Sequence, residues 1–292
     1  MTADAALSQL KRDAALHPED NALAGRLLDR AMRVASAEQQ LELPHPLPTL
    51  SFVCCSIQPA LQARFAGEVA RTFANWPGIE VCVLNDARSL AEAYNRGAAL
   101  THGDWLVFCH DDIRFLRADF AARLALAMQR FDVCGAAGAT RLCGPAALWG
   151  GPSAGLAQVS YPLPDGRHAA TLCGVGPVHA RAEALDGVFV AVKRAVWAQV
   201  RFDADRFDGF HLYDIDFSHS CHRQGHVVGI AQDLHLLHDS AGNFDERWSV
   251  YADRFVRKHN LLVAAAHPNP TSGLIVPDPG RIAAMYDALN AA

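Results

Sequence analysis

The sequence predicts an α/β fold whose mainly parallel sheet is flanked by helices. Three observations carry that prediction. Between residues 51 and 139, short apolar runs alternate with amphipathic helical stretches, the order that builds a parallel sheet with right-handed crossovers. Several of these runs stop abruptly in polar clusters, and ligands in open α/β sheets collect at such carboxyl ends. The composition is that of a globular protein: 292 residues, 51% hydrophobic and 20% charged, enough for one large domain or two modest ones.

The formal net charge of −5 argues against wholesale nucleic-acid binding, which needs a basic field. No apolar run approaches the roughly 20 residues of a membrane span, and the N-terminus has no secretory apolar core. The eight cysteines are scattered without a C-x-x-C pair, which favours a reduced, cytoplasmic protein.

Residues 5–40 read as helical. Leu7, Leu10, Leu23, Leu27, Leu28, Ala31 and Val34 recur at helical spacing, broken near His17-Pro18. The stretch from Pro18 through Asn21-Ala22 resembles one unit of a tetratricopeptide-type helical repeat. A single unit cannot bury its own face, so this extension is expected to pack on the main domain, on a second copy, or on a docking partner. Leu41 to Pro48 is a proline-rich, stiff linker. The expected organisation is a helical extension (1–43), a linker (44–50), a main domain (51–265) and a C-terminal tail with a weak helix (266–292).

Within the main domain, Ser51–Ile57 is the first buried strand, and Leu61, Phe65, Val69 and Phe73 mark one helix face. Ile79–Leu84 is a second strand ending at Asn85-Asp86. Ser89 and Glu92 fit a helix capping box, with His102-Gly103 closing the helix that begins there. Trp105–Cys109 is an uncharged run that reads as a strand buried on both faces, and it ends in His110-Asp111-Asp112. Phe120, Leu124, Met128 and Phe131 define another helix, and Val133–Ala139 one small-residue strand. Residues 141–180 read as loops and short antiparallel strands. Further on come a strand at Val188–Val192, a helix at Ala195–Val200, closing strands at His226–Ile230 and Asp233–Leu237, and a helix marked by Trp248, Tyr251, Phe255 and Leu262.

Candidate chemistry lies where apolar segments stop: Asn85-Asp86, His110-Asp111-Asp112, Asp186-Gly187, Tyr213-Asp214-Ile215-Asp216 and His238-Asp239-Ser240. Carboxylates grouped at one sheet edge repel unless a cation or proton intervenes, and a divalent metal resolves this economically. Oxygen ligands favour Mg²⁺ or Mn²⁺, and a histidine shifts the balance towards Mn²⁺. No Walker loop is present, and the glycine-rich stretch at 150–155 lacks its G-K-[ST] ending. Plainer readings stand beside these: turns at Asn85-Asp86 and Asp186-Gly187, a helix cap for Asp214 or Asp216, and an ordinary strand-end histidine for His238.

The order of these segments resembles the GT-A (Rossmann-like) fold of nucleotide-sugar-dependent glycosyltransferases, in particular family 2-like bacterial enzymes, over roughly residues 50–260. The matching pieces are Ser51–Ile57, Val83-Leu84-Asn85-Asp86, Ala93-Tyr94-Asn95-Arg96-Gly97, Trp105–Phe108 with His110-Asp111-Asp112, Leu185-Asp186-Gly187-Val188-Phe189, Gly209 to Asp216, His238 and Trp248. The resemblance implies a mixed, mainly parallel sheet and a site in defined roles. Asp112, with His110 and His238, would hold the metal that neutralises the leaving diphosphate, and Asp111 would face the ribose or the metal. Ser56 and Ile57 would line the nucleobase pocket, with Asn85 or Asp86 bonding base or ribose and Asn95 close to the nucleotide. Asp186-Gly187 would contact the donor sugar, and Gly97 would allow tight helix–sheet packing. Asp214 would be the general base on the acceptor hydroxyl, giving inversion at the anomeric carbon. Two positions depart from the family pattern: His110 stands where it has Asp, and Tyr213 where it has Glu.

The function implied is metal-dependent, inverting transfer from a nucleotide-sugar, UDP-linked by first preference, to a glycan, lipid-linked or protein acceptor. Residues 1–40 would then serve peripheral docking at the inner membrane, docking on a protein, or homodimerisation. The competing readings are a non-catalytic nucleotide-sugar or glycan-binding module, which the two departures keep open, and a nucleotidyltransferase. The latter needs a basic glycine-rich loop soon after the first strand, and Gln58-Pro59-Ala60 is not one.

Overall fold

The apolar run Leu50–Cys55 forms strand β1, and helix α1 (Pro59–Thr72) follows, with proline in its first turn where the missing N–H is not needed. The computed structural model describes residues 45–142, 144–145, 155–174, 177–240, 245–261 and 271–290. The helices expected within 5–40 lie outside the described residues. What is described of the proline-rich linker is held against the domain: the Trp76 indole N–H donates to the carbonyl of Pro48 at 2.6 Å.

Strand β2 (Ile79–Leu84) and helix α2 (Leu90–Leu100) come next. The Ser89 hydroxyl accepts from the Glu92 N–H as the capping pattern requires, while the Glu92 carboxylate turns to Arg96. The helix ends at Thr101, one residue before the expected His102-Gly103. Gly103 has a different task, because a Cβ there would meet Ser51 Oγ and the backbone of Leu50 and Ser51 within 2.7 Å. At Gly97 a Cβ would collide with Val53, so glycine lets α2 lie directly on β1.

Strand β3 (Trp105–Cys109) is wholly buried. After it come β4 (Ile113–Phe115), α3 (Phe120–Arg130), β5 (Val133–Gly135) and β6 (Ala137–Ala139). The single strand expected over Val133–Ala139 is therefore two. They break at Ala136 and belong to different sheets, which chain built from glycine and alanine permits because little side-chain bulk resists the turn. The remaining elements are β7 (Gly155–Pro162), β8 (His168–Cys173), β9 (His179–Arg181), β10 (Ala184–Leu185), β11 (Phe189–Lys193), α4 (Arg194–Val200), α5 (Tyr213–Arg223), β12 (Val228–Ala231), β13 (Leu236–His238), α6 (Glu246–His259), β14 (Thr271–Val276) and α7 (Pro279–Asn290). Strand β14 pairs antiparallel with β8, in a stretch where the sequence pattern shows only proline-rich chain before a weak helix.

Among the described residues, the larger sheet has seven strands in the order β2-β1-β3-β11-β5-β12-β9. Strands β1, β2 and β3 run parallel, as do β5 and β12, whereas β11 is inserted antiparallel between β3 and β5. A smaller sheet, β10-β6-β7-β13-β4, carries β8 and β14 at its side. This topology sets the site. The carboxyl ends of β1, β2 and β3 reach one edge, and β11 begins there, with Phe189 opposite Cys109. Strand β13 ends beside β4, with His238 opposite Ile113.

Alternation along β1 divides the core between the faces of the large sheet. Phe52 joins Phe65, Phe73, Phe120 and Phe189 on one side, and Val53 joins Tyr94, Phe108 and Phe217 on the other. Each large side chain so buried contributes about 1.5–3 kcal/mol. A charged group lies inside at the start of α3. Arg117 and Arg123 have no exposed side-chain area and share the Asp119 carboxylate at 2.7 and 3.0 Å. Burial opposes ionisation of Asp119, but the arginines outweigh it and bring its pKa down to about 2. Its stabilisation is thus present above the ordinary carboxylate range and is lost as pH falls towards 2. Asp119→Ala leaves two buried guanidiniums without their shared anion, so we expect a loss of about 3–5 kcal/mol. Urea unfolding at pH 7 measures it, and a loss under 1 kcal/mol would contradict this account.

Candidate active site

The sheet edge gathers His110, Asp112 and His238, contributed by β3 and its exit and by β13. The His110 Nδ1 lies 2.9 Å from the His238 Nε2, and that Nε2 lies 3.3 Å from the Asp112 Oδ1. Backbone bonds hold the three in place: the His110 N–H donates to Val188 O at 3.3 Å, and the Asp239 N–H to Asp112 O at 3.1 Å. One ligand atom from each falls within 4.8 Å of the others. Two imidazoles and a carboxylate form a nitrogen–oxygen donor set suited to a divalent transition ion, so the residues fit the expected metal.

Electrostatics agree with the geometry. Burial disfavours an ionised Asp112, yet its bond to His238, the charge of that ring and a bond from Ser240 hold its carboxyl well below the usual range. Burial lowers the His238 pKa, but Asp112 outweighs this and the net shift is upward. His110 moves down, chiefly through burial and then through the neighbouring His238 charge.

The second part of the site is the start of α5, packed against the loop before β11. The Asp214 Oδ2 accepts from the Gly187 N–H at 2.6 Å, and the Asp186 Oδ1 accepts from the Val188 N–H at 2.9 Å. Glycine is required at 187, since a Cβ would come within 2.9 Å of the Asp214 side chain and crowd the Tyr213 hydroxyl. Burial, and then the charge of Asp186, push the Asp214 pKa up to about 7, where a carboxylate is a competent base at neutral pH. The helix is entered through Leu212 at φ 59° without a side-chain cap, a left-handed conformation that costs a β-carbon residue of order 1–3 kcal/mol. Tyr213 bridges the two parts, its hydroxyl 3.3 Å from His110 Nε2.

The family model described as "Glycosyltransferase like family" matches residues 73–260, well over half of the chain. The chain belongs to this glycosyltransferase-like family. No curated protein sequence matches it. Among solved structures, GalNAc-T7 with UDP, GalNAc and Mn²⁺ is similar at 12% identity and a TM-score of 0.50, covering 73% of this chain and 48% of that one. The chain thus spans about half the length of that relative. The mannosyltransferase PcManGT from Pyrobaculum calidifontis, in complex with GDP-Man and Mn²⁺, is similar at 12% identity and a TM-score of 0.44, covering 97% of this chain and 81% of that one. The fold of this glycosyltransferase-like protein is the expected GT-A type, with its mixed sheet flanked by helices.

The other residues singled out in this glycosyltransferase-like sequence fall around the same edge, with one exception. Ser56 is buried and its carbonyl accepts from the Gln62 amide at 2.8 Å, while Ile57 stands 80% exposed at the mouth of β1. Asn85 is exposed, and Asp86 is gripped by both terminal nitrogens of Arg96 at 3.1 and 2.8 Å. Asp111 is half-buried, and its charge acts on the Cys54 thiol of β1. Its charge also reaches His110, so it lies between β1 and the metal group. The exception is Asn95. Its amide donates to Phe202 O at 2.8 Å and accepts from the Trp197 indole and the Phe202 N–H at 3.1 Å. Its polar atoms are committed to the α4–α5 connection, so it acts as a structural pin and is not turned to the strand ends. Asp216 is no helix cap either. It is 1% exposed and ties α5 to Lys258 and His259 of α6, both at 2.8 Å.

One member of the site was given no role from the sequence, and another, Ser240, was named there only as the end of the His238-Asp239-Ser240 cluster. Tyr94 sits in a stretch noted only for Asn95 and Gly97, and its hydroxyl donates to Cys109 O at 3.1 Å. A buried tyrosine hydroxyl usually finds such a partner, and a tyrosine on the apolar face of a helix was the available clue. Ser240 lies 3.2 Å from His238 Nε2. The seven described cysteines are free thiols, and no helix among the described residues is long and apolar enough to cross a membrane.

Proposed function

We propose that the protein is a metal-dependent, inverting glycosyltransferase that moves a sugar from a nucleotide-sugar, UDP-linked by first preference, to a glycan, lipid-linked or protein acceptor. The observation that carries this reading is the pairing, at one sheet edge, of the His110–Asp112–His238 donor set with an Asp214 carboxylate whose pKa is raised to about 7. A bound Mn²⁺ or Mg²⁺ would supply Lewis-acid stabilisation of the departing diphosphate. Ile57 offers an apolar surface to a nucleobase, with Ser56, Asn85, Asp86 and Asp111 around it, and Asp186-Gly187 borders the donor sugar. Asp214 takes the proton of the acceptor hydroxyl as its oxygen bonds to the anomeric carbon. The bond from that carbon to the phosphate oxygen breaks on the opposite face, and its electron pair leaves with the diphosphate. The UDP and Mn²⁺ in GalNAc-T7 support UDP and Mn²⁺ as the first pair to test. In this reading the protein is cytoplasmic, with residues 1–40 as a segment for peripheral membrane docking, protein docking or homodimerisation.

Calorimetry of the full chain with UDP, GDP and their sugar conjugates, with and without Mn²⁺, tests the reading. Binding of one nucleotide series that requires the metal is the expected result. Failure of every nucleoside diphosphate to bind with metal present would overturn it.

A further inference from the structure

An open apolar groove of about 350 Å³ runs along the outer flank of the large sheet, between α1 and β2. We propose that the segment 22–35 of the same chain docks there as a helix and covers the edge of the sheet.

Packing of α1 creates the groove. The Phe73 ring, just past the end of α1, meets Phe52 of β1 with centroids 5.0 Å apart and Phe115 of β4 at 5.7 Å. The helix thus leans over β1 towards β4 and away from β2. Towards β2 this side of the chain offers Ala66, Ala70 and Ala74, all exposed. Strand β2 forms the other wall with half-buried Ile79 and with Val81, which is 39% exposed. A small-molecule site needs a few placed polar groups. Here the lining side chains are apolar, and the indole N–H of Trp76 is spent on Pro48 O at 2.6 Å. Such a surface suits the apolar face of an amphipathic helix.

The sheet also needs a cover at this flank. Among the described residues β2 is the outermost strand on its side. Edge strands are blunted by lysine, proline or a bulge, or are covered by a helix or loop. Strand β2 has no lysine or proline and pairs with β1 in unbroken register. Its one charged residue, Glu80, is taken up by the Ser51 hydroxyl and the His102 N–H at 2.7 and 2.6 Å.

The path of the chain names the occupant. Leu47 packs on the core cluster that holds Phe73 and Trp76, and Pro48 is tied to Trp76. Residues before 45 therefore depart from the Trp76 end of the groove. Upstream, Leu23, Leu27, Ala31 and Val34 share one helical face, with Arg26, Asp29 and Arg33 on the other. A helix over 22–35 is about 21 Å long, matching α1 with its 14 residues. Residues 36–46, extended, reach about 35 Å, enough to lay it along the groove in either direction. A short tether gives an effective concentration of order millimolar, which favours this segment over a free partner of equal fit. Its charged face is left outward for the docking considered above. The inference does not depend on the metal or on the reaction.

Two experiments on the full chain test it. A p-benzoylphenylalanine introduced at Val81 should photo-cross-link to residues 22–35 within a single-chain mass. In amide hydrogen exchange, residues 22–35 should be protected in the parent. Val81→Lys, at an exposed position, should speed their exchange about 10–100-fold, the opening expected when one buried aliphatic contact is lost, while the amides of β3 keep their protection. Leu27→Lys should have a similar effect on residues 22–35, and combining the two should add little, because they remove one shared contact. Cross-links to any other segment, cross-links found only at doubled mass, or exchange in Val81→Lys within threefold of the parent overturn the proposal. The doubled mass would assign the groove to a second copy.

Discussion

Asp214→Asn should lower kcat by about 10²–10⁴-fold, the usual contribution of a positioned general base, while Mn²⁺ and donor binding survive. The substitution keeps an oxygen able to accept from the Gly187 N–H, so the contact between α5 and the loop before β11 is retained. What it removes is the acceptor for the substrate proton. Burial and the nearby Asp186 charge raise the Asp214 pKa to about 7, and only the ionised form is a base. In the unmodified protein the rate should therefore fall about tenfold per pH unit below 7 and level off above it. This acid limb should vanish in the variant's residual activity. The stability effect has the opposite sense. A carboxyl with a raised folded pKa stabilises the protein fully below the unfolded value near 4, and that stabilisation is lost as pH rises through about 7. Asp214→Asn should accordingly be at least as stable as the parent at pH 8. Unchanged turnover at pH 8 would reassign the base.

Removing the metal group should be equally damaging through a different parameter. Asp112→Asn keeps the shape of the side chain and deletes the anion beside His238, which lies 3.3 Å away. We expect Mn²⁺ affinity to fall by more than the roughly 10–100-fold typical when only a supporting residue is lost. Donor affinity in the presence of metal should fall with it, and excess Mn²⁺ should restore part of the activity. His238→Ala should behave alike, since His238 contacts both His110 and Asp112. Calorimetry at two metal concentrations distinguishes this from a loss of chemistry, which excess metal does not restore. If both variants bind Mn²⁺ and nucleotide as the parent does, these residues are not its ligands.

The sequence by itself determined the regular part of the fold and the edge where chemistry lies. Strands expected at 51–57, 79–84 and 105–109, the first of which ends at Cys55, and the helices between them follow from apolar periodicity and from local signals such as the Ser89 cap. Such signals act over a few residues and are legible without tertiary context. That His110 and Asp112 end a buried strand was equally visible. What only the tertiary structure decided depends on residues far apart in the chain. The antiparallel insertion of β11, the division of 133–139 between two sheets, and the strand at 271–276 depend on which partners pair, and no local period encodes that. The same holds for side chains. Asn95 looked like a nucleotide contact and proved to be a pin for Phe202, more than 100 residues away. Its amide bonds whatever the fold brings near it. The meeting of His110 with His238 and Tyr213 is of this kind. Sequence named all three residues. Their contacts exist only once β3, β13 and α5 converge.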